Sequence, residues 1–360
     1  MEKRRIMRLG KSSLTVSLPI NWIQKTGLKK GDYLVIATEK DGSLRIMPDS
    51  MVSQMETPKS CTINADLCNA KDLLLRMIVA SYIKGYDIIN IASSKRIGKD
   101  NIEAIRNAEL SLMGLSIVEE TSSSMTLQCS INASMFPIDL AIRRLYSLFL
   151  TMGDEAIEAL TNSNLELAKE AQRRERNANM MYALILRLLN QAQSNYKIAK
   201  MIGIVDVSDI MNMLAVANIL ERNADWTFRI AKDVGKIEDS GVTINGETKK
   251  WITEYYEKIK KICDEAMKSQ FTYDIQLANN AINHFKDVLD AEAYEIIEKL
   301  YLEKIYYGFG ELRQIILILR RIGEITISIA ESTIDKAFEK GELCNFELET
   351  PSTPSPRYLK

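Results

Sequence analysis

Apolar and polar residues alternate along Leu14-Thr15-Val16-Ser17-Leu18 and, more loosely, around Ile6 and Leu9. Further on, the β-rich runs Tyr33-Leu34-Val35-Ile36 and Leu44-Arg45-Ile46 flank an Asp41-Gly42 turn. A period of two on either side of such a turn predicts two strands followed by a hairpin. Between them Pro19 sits where a short helix begins, Trp22 and Ile23 supply its inner face, and Gly27 can take the left-handed conformation that ends it. The predicted order over residues 1–50 is β-α-β-β, a unit too small to bury a core alone. It is expected to pair with a second copy of itself.

The period changes after Pro58. Cys61–Ile63 reads as a short strand; Lys71 to Lys84 carries apolar residues at helical spacing and stops at Gly85; Asp87–Ala92 reads as a strand. Asn101 to Met113 repeats the helical pattern up to Gly114, and 116–120 and 125–129 give two strands around a Thr-Ser-Ser-Ser turn. That alternation predicts a small α/β sandwich over 58–132, read as a connector or a partner-sensing module.

From residue 135 to 345 the spacing is helical throughout, broken near 162–164, 203–206, 241–246, 272–274 and 305–310. These breaks leave six helices in two sets of three. The third helix of each set carries a related string: Leu220-Glu-Arg-Asn-Ala-Asp-Trp-Thr-Phe-Arg-Ile-Ala231 aligns with Leu319-Arg-Arg-Ile-Gly-Glu-Ile-Thr-Ile-Ser-Ile-Ala330, five identities in twelve at an offset of 99. Two copies of one three-helix unit is the economical account. Residues 346–360 have the composition of a disordered tail.

Composition supports the helical reading. The chain has 360 residues and seven prolines, yet none between 138 and 350, where average usage would place roughly ten. Its length predicts two or three domains. One histidine and five scattered cysteines, with no Cys-x-x-Cys pair, exclude zinc ribbons and leave little material for a histidine triad. No nucleophile–base constellation or phosphate-binding loop is visible, so an enzyme is not expected. No run reaches the length of a membrane span, and the cysteine usage and charged N-terminus point to a cytoplasmic protein.

Charge is uneven. Residues 1–50 hold ten Lys/Arg against five Asp/Glu, a net +5, whereas the remainder holds 37 against 43, a net −6. Five of those cations fall in the first eleven residues, which suggests a polyanionic partner for the N-terminus.

Arg8-Leu9-Gly10-Lys11-Ser12-Ser13-Leu14-Thr15-Val16-Ser17-Leu18-Pro19, then Trp22, Gly27-Leu28-Lys29-Lys30-Gly31-Asp32 and the Asp41-Gly42 hairpin, resemble the AbrB/SpoVT family of swapped-hairpin DNA-binding domains. The resemblance implies an intertwined homodimeric barrel formed through residues 1–50, with its basic loops facing DNA. Arg4, Arg5, Arg8 and Lys11 can then neutralise phosphates, and Ser12, Ser13 and Thr15 can reach phosphate oxygens or base edges. For the hydroxyls, ordinary turn chemistry is the other reading.

The duplicated string resembles the Leu-Glu-Arg-x-Gly/Ala-Asp signature of the PhoU family of phosphate-uptake regulators over about 138–340. The resemblance implies tandem three-helix bundles, metal ions held by paired carboxylates, and reporting of phosphate status to a transporter and its transcriptional control. Glu221 and Asp225 match; their i, i+4 spacing puts both on one helix face and suits a divalent or iron-type ion, with Glu175 as third ligand. Asn179 stands where a second acid of that helix is expected, and an interhelical salt-bridge network is the competing reading of Glu221, Arg222 and Asp225. In the second copy Arg320 replaces the first acid and Glu324 remains; Asp287 or Asp290 on the neighbouring helix can face it.

The expected architecture is therefore multi-domain and mainly α: a β-rich dimeric barrel, a small α/β sandwich, and six helices in two bundles. The expected function is DNA-binding regulation of phosphate uptake and homeostasis. The alternative is an adaptor whose barrel only dimerises and whose bundle docks on a phosphate transporter or sensor kinase.

Overall fold

The computed structural model describes residues 2–10, 13–38, 42–50, 57–204, 206–241, 243–303 and 308–339. It divides into two compact units, Met1–Lys59 and Ser60–Lys360. Asp41, Cys344 and the expected 346–360 tail lie outside the described residues.

The first unit contains two separate antiparallel hairpins. Strand β1 (Met7–Leu9) pairs with β2 (Ser13–Thr15), and β3 (Leu34–Thr38) with β4 (Leu44–Pro48). Helix α1 (Ile20–Thr26) lies between them in sequence. It starts after Pro19 and ends on Gly27 at φ 68°, a conformation open to glycine because it lacks a Cβ. Trp22 and Ile23 are only half-buried and no residue of α1 is fully buried, which corrects the expectation of a buried helix face. The physical reason is that the described residues of this unit, two short hairpins and one short helix, are too few to enclose those side chains.

The second unit begins with a mixed four-stranded sheet in the order β5-β6-β8-β7. Strand β5 (Ser60–Asn64) runs parallel to β6 (Ile88–Ala92); β8 (Ser124–Cys129) runs antiparallel to both β6 and β7 (Leu115–Glu120). Alternation puts Ile63, Ile89, Ile91, Met125 and Leu127 on one face. Helices α2 (Leu73–Ile83) and α3 (Lys99–Ser111) cover that face with Leu74, Ile78, Tyr82, Ile105 and Ala108. Asp66, after β5, accepts from Ser93 Oγ at 2.6 Å and Ser94 N at 2.8 Å, after β6. Those bonds tie the two strand ends together and hold the carboxyl down at about 2.

The helical part is two three-helix repeats. The first is α4 (Ile138–Asn162), α5 (Leu165–Ser194) and α7 (Val207–Asp239), with a short α6 (Tyr196–Met201) before α7. The second is α8 (Gly246–Thr272), α9 (Ile275–His284) running through a single π turn (Phe285–Leu289) into α10 (Asp290–Leu302), and α11 (Phe309–Glu339). The corner between the first two helices is built alike in both copies. Ser163 (φ 52°) precedes the cap Asn164, whose Oδ1 accepts from Leu167 N, and Tyr273 (φ 57°) precedes Asp274, whose Oδ1 accepts from Leu277 N.

Helices α7 and α11, the third of each repeat, pack on one another. Across that seam the buried Asn223 Nδ2 donates to Thr326 Oγ1 at 2.8 Å, and Lys336 pairs with Asp209 at 2.5 Å. One apolar core runs through both repeats.

A feature absent from the sequence reading joins the sheet to the bundle. Arg187 of α5 is 1 % exposed and donates from Nη1 to the carbonyls of Tyr82 and Tyr86, and from Nη2 to Asp87 Oδ1 at 2.6 Å. Beside it Gly85, at φ 80°, lets the chain approach the Gln191 side chain so closely that a Cβ would sit 2.6 Å from it. Ala183 of the same helix completes the sheet's core.

Candidate functional site

Two sets of residues carry candidate chemistry. The first is the basic N-terminal segment. Arg4, Arg5 and Arg8 are exposed, as are Ser13 and the strand β1 that follows the first two arginines. Arg4 is engaged by the carboxylate of Glu2. Thr15 Oγ1 donates to the carbonyl of Met7 at 3.3 Å, so this hydroxyl ties β2 to β1. Lys11 and Ser12 lie outside the described residues.

The apolar residues of this unit are also exposed. Ile6 is 65 % accessible, Leu14 72 % and Tyr33 82 %, with Leu9, Ile36 and Leu44 near 60 %. Alternation has generated an apolar face in both hairpins, yet Pro48 is the only fully buried residue among the described ones of the unit. So many large apolar side chains exposed on one small unit are the composition of an interaction surface.

The second set lies on the bundle. Glu221 and Asp225, one turn apart on α7, interact with each other and with Glu175 of α5. Burial pushes the Glu221 carboxyl up, Asp225 and Glu175 add to the rise, and Arg222 opposes it. Asp225 is raised by burial and lowered by Arg229. Glu175 Oε1 accepts from Asn179 Nδ2 at 2.6 Å, so the asparagine that replaces an expected acid serves as a donor to its neighbour. Three carboxylates in electrostatic reach are donor chemistry for a hard cation. As the side chains stand, no three ligating groups converge on one point among the described residues.

The second repeat differs at the matching positions. Arg320 Nη2 meets Asp290 Oδ1 at 2.6 Å, Arg320 Nη1 lies 3.5 Å from Glu324 Oε2, and Arg321 Nη1 reaches the same oxygen at 2.8 Å. Here the acids are neutralised by arginines from within the bundle. His284 ends α9 and takes no part in these clusters.

The comparisons agree with this division. A family model for the antidote-toxin recognition MazE bacterial antitoxin matches residues 7–53, and a PhoU domain model matches residues 142–234. Among solved structures, PhoU from Pseudomonas aeruginosa superposes with a TM-score of 0.50 at 19 % identity. The match covers 58 % of this chain and 99 % of that one. No curated protein matches. The two matched domain families are regulatory rather than enzymatic, and among the described residues no helix is long and apolar enough to cross a membrane. The chain joins a MazE/AbrB-type domain at its N-terminus to a PhoU-type helical domain.

Proposed function

We propose that this protein is a cytoplasmic, homodimeric, DNA-binding regulator of phosphate uptake, in which residues 1–50 read DNA and the PhoU-type bundle senses phosphate status or a signalling partner. The reading is carried by the N-terminal unit, which combines exposed arginines with apolar side chains that stand exposed among its described residues. A second copy supplies the missing core and doubles the cations available to the duplex. A ligand or partner on the bundle would then shift the equilibrium between arrangements of the two basic units, and so the affinity for DNA. A cation held by Glu175, Glu221 and Asp225 belongs to the same proposal. Elemental analysis of the protein against Glu221→Ala with Asp225→Ala tests it, and equal metal content in both removes it.

DNA binding is tested by mobility shift on the full chain with fragments upstream of phosphate-transport genes. The affinity is expected to fall with salt at a log–log slope of about −0.9 for each phosphate contacted, and Arg4→Ala with Arg8→Ala to flatten that slope. No shift at low salt, with a dimer still seen in solution, would favour the adaptor: a unit that only dimerises, and a bundle that docks on a transporter or kinase. Thr15, engaged with Met7, and Arg4, engaged with Glu2, are the observations that lean that way.

A further inference from the structure

The seam between the repeats holds a basic pocket that borders the acidic motif at Asp225 and has no counterpart in the N-terminal segment. Its volume is about 290 Å³, and it is lined by Arg222, Asp225, Trp226 and Arg229 of α7 with Arg321 and Ile325 of α11. Three guanidinium groups against one carboxylate make the lining net positive. A second recess of about 350 Å³ shares Arg229 and adds Lys232 and Lys236 further along α7, but Asp233 and Glu311 line it too and Lys236 is paired with Asp233 at 2.6 Å, so it is close to neutral. The spacing of these cations, 222, 229, 232 and 236, keeps them on one side of the helix.

The duplication explains why they meet. Arg222 and Arg321 hold the same place in the two copies of the repeated string, 99 residues apart. Packing α7 on α11 therefore brings one arginine from each copy to a single pocket. Their engagement differs. Arg321 is already shared with Glu324, and Arg229 lies over the Trp226 ring at 5.1 Å. Arg222 and Arg229 make no contact ion pair among the described residues, but each acts on an acid of its own helix at longer range, Arg222 on Glu221 and Arg229 on Asp225. A stacked guanidinium keeps its N–H fork free in a fixed plane, the geometry that accepts two oxygens of one phosphoryl group.

We propose that this pocket binds a multiply charged phosphate anion, with Arg222, Arg229 and Arg321 as its donors. The proposal rests on the sensing role given to the bundle above and names its ligand class. A singly charged anion would not use three arginines. Arg229 lies over one face of Trp226, and the remaining polar donors of the lining are guanidinium groups, so the phosphate and not a nucleoside is the group assigned.

Calorimetric titration of the full chain, in EDTA and at physiological ionic strength, tests this with orthophosphate, tripolyphosphate, ATP and sulfate. Binding of orthophosphate or tripolyphosphate is expected, with tripolyphosphate the tighter because it carries more charge, sulfate comparable to orthophosphate as a dianion of the same shape, and ATP no better than tripolyphosphate. Arg222→Gln with Arg321→Gln is expected to weaken it at least about tenfold, because each lost charged hydrogen bond removes roughly that factor or more. Arg222→Lys with Arg321→Lys keeps the charge, removes the fork, and covers the case in which the glutamine pair fails to fold. Arg4→Ala with Arg8→Ala should bind as the parent does, since it leaves the pocket intact. No heat with any phosphate overturns the proposal, as does binding unchanged in both pocket variants or lost only in the N-terminal one. Tighter binding of ATP than of tripolyphosphate overturns the assignment of the phosphate as the recognised group. The broader sensing reading fails by a separate measurement, when DNA occupancy in cells does not differ between high and low phosphate.

Discussion

The two repeats are copies of one plan with opposite electrostatic solutions. In the first, Glu221 and Asp225 stand near Glu175 as an acidic group, and burial, followed by repulsion from Asp225 and Glu175, raises Glu221. In the second, Arg320 has replaced the leading acid, and it closes on Asp290 and Glu324. The helices beside them differ too. Helix α5 is continuous and holds the buried Arg187 that docks the sheet, whereas the second helix of the other repeat is interrupted by a π turn that sets Phe285 against Gly323. The family match over 142–234 spans the first repeat only. One copy keeps the acidic surface; the other has become a self-neutralised scaffold.

The sharpest way to break the comparison is at Arg187, which the second repeat does not share as a buried anchor. Arg187→Met removes three hydrogen bonds, to the Tyr82 and Tyr86 carbonyls and to Asp87, and is expected to cost about 3–5 kcal/mol. Chemical denaturation followed separately for the sheet and the helices should show the sheet lost first; a change below about 1 kcal/mol would remove Arg187 as the anchor.

Next in size is Gly323, whose Cβ would meet the Phe285 ring at 2.5 Å. Gly323→Ala should destabilise by about 1–3 kcal/mol through overpacking, and Phe285→Leu in the same chain should restore part of it. The equivalent residue of the first repeat is Ala224, already fully buried, where Ala224→Gly costs about 1 kcal/mol or somewhat more from helix propensity and the lost methyl. Opposite substitutions at equivalent positions both losing stability would confirm that the π turn and Gly323 act together.

A smaller effect is expected at Arg320. Arg320→Ala should cost about 0.5–1 kcal/mol, read as coupling to Asp290→Ala in a double-mutant cycle, because the pair is partly solvated.

The smallest effect is pH-dependent and belongs to the first repeat. Folding holds the Glu221 carboxyl above its ordinary value of 4.5, so the folded state favours the proton. The resulting cost is fully present above the raised value and fades as pH falls through it towards 4.5. Glu221→Gln should therefore stabilise at neutral pH by about 0.5 kcal/mol, and the gain should vanish as pH falls below 4.5. A gain that persists in acid would place its origin elsewhere.

Much of the fold was legible because it depends on local rules. The breaks near 163, 204, 243, 273 and 307 separate the long helices, since left-handed residues and side-chain caps act within a few positions of themselves. Strand order, by contrast, is a long-range choice: that β6 lies between β5 and β8 follows from which faces are covered. The π turn at 285–289 was not legible because a phase slip of one residue, about 100° around the helix, cannot be told from a broad apolar face in so short a pattern until the packing partners are in place. Of the candidate site, the acidic positions were readable from i, i+4 spacing. Arg187 was not, since an arginine in an amphipathic helix reads as surface until the partner carbonyls of Tyr82 and Tyr86 are placed around it.

By itself the sequence determined the elements, the duplication and the asymmetry of charge, because period, caps and composition act along the chain. Only the tertiary structure decided which charges are neutralised. Arg222 and Arg321 share one pocket, Arg320 finds Asp290, and Arg187 is buried against Asp87. Electrostatic energy depends on separation in space and on burial, and neither can be read from separation in sequence.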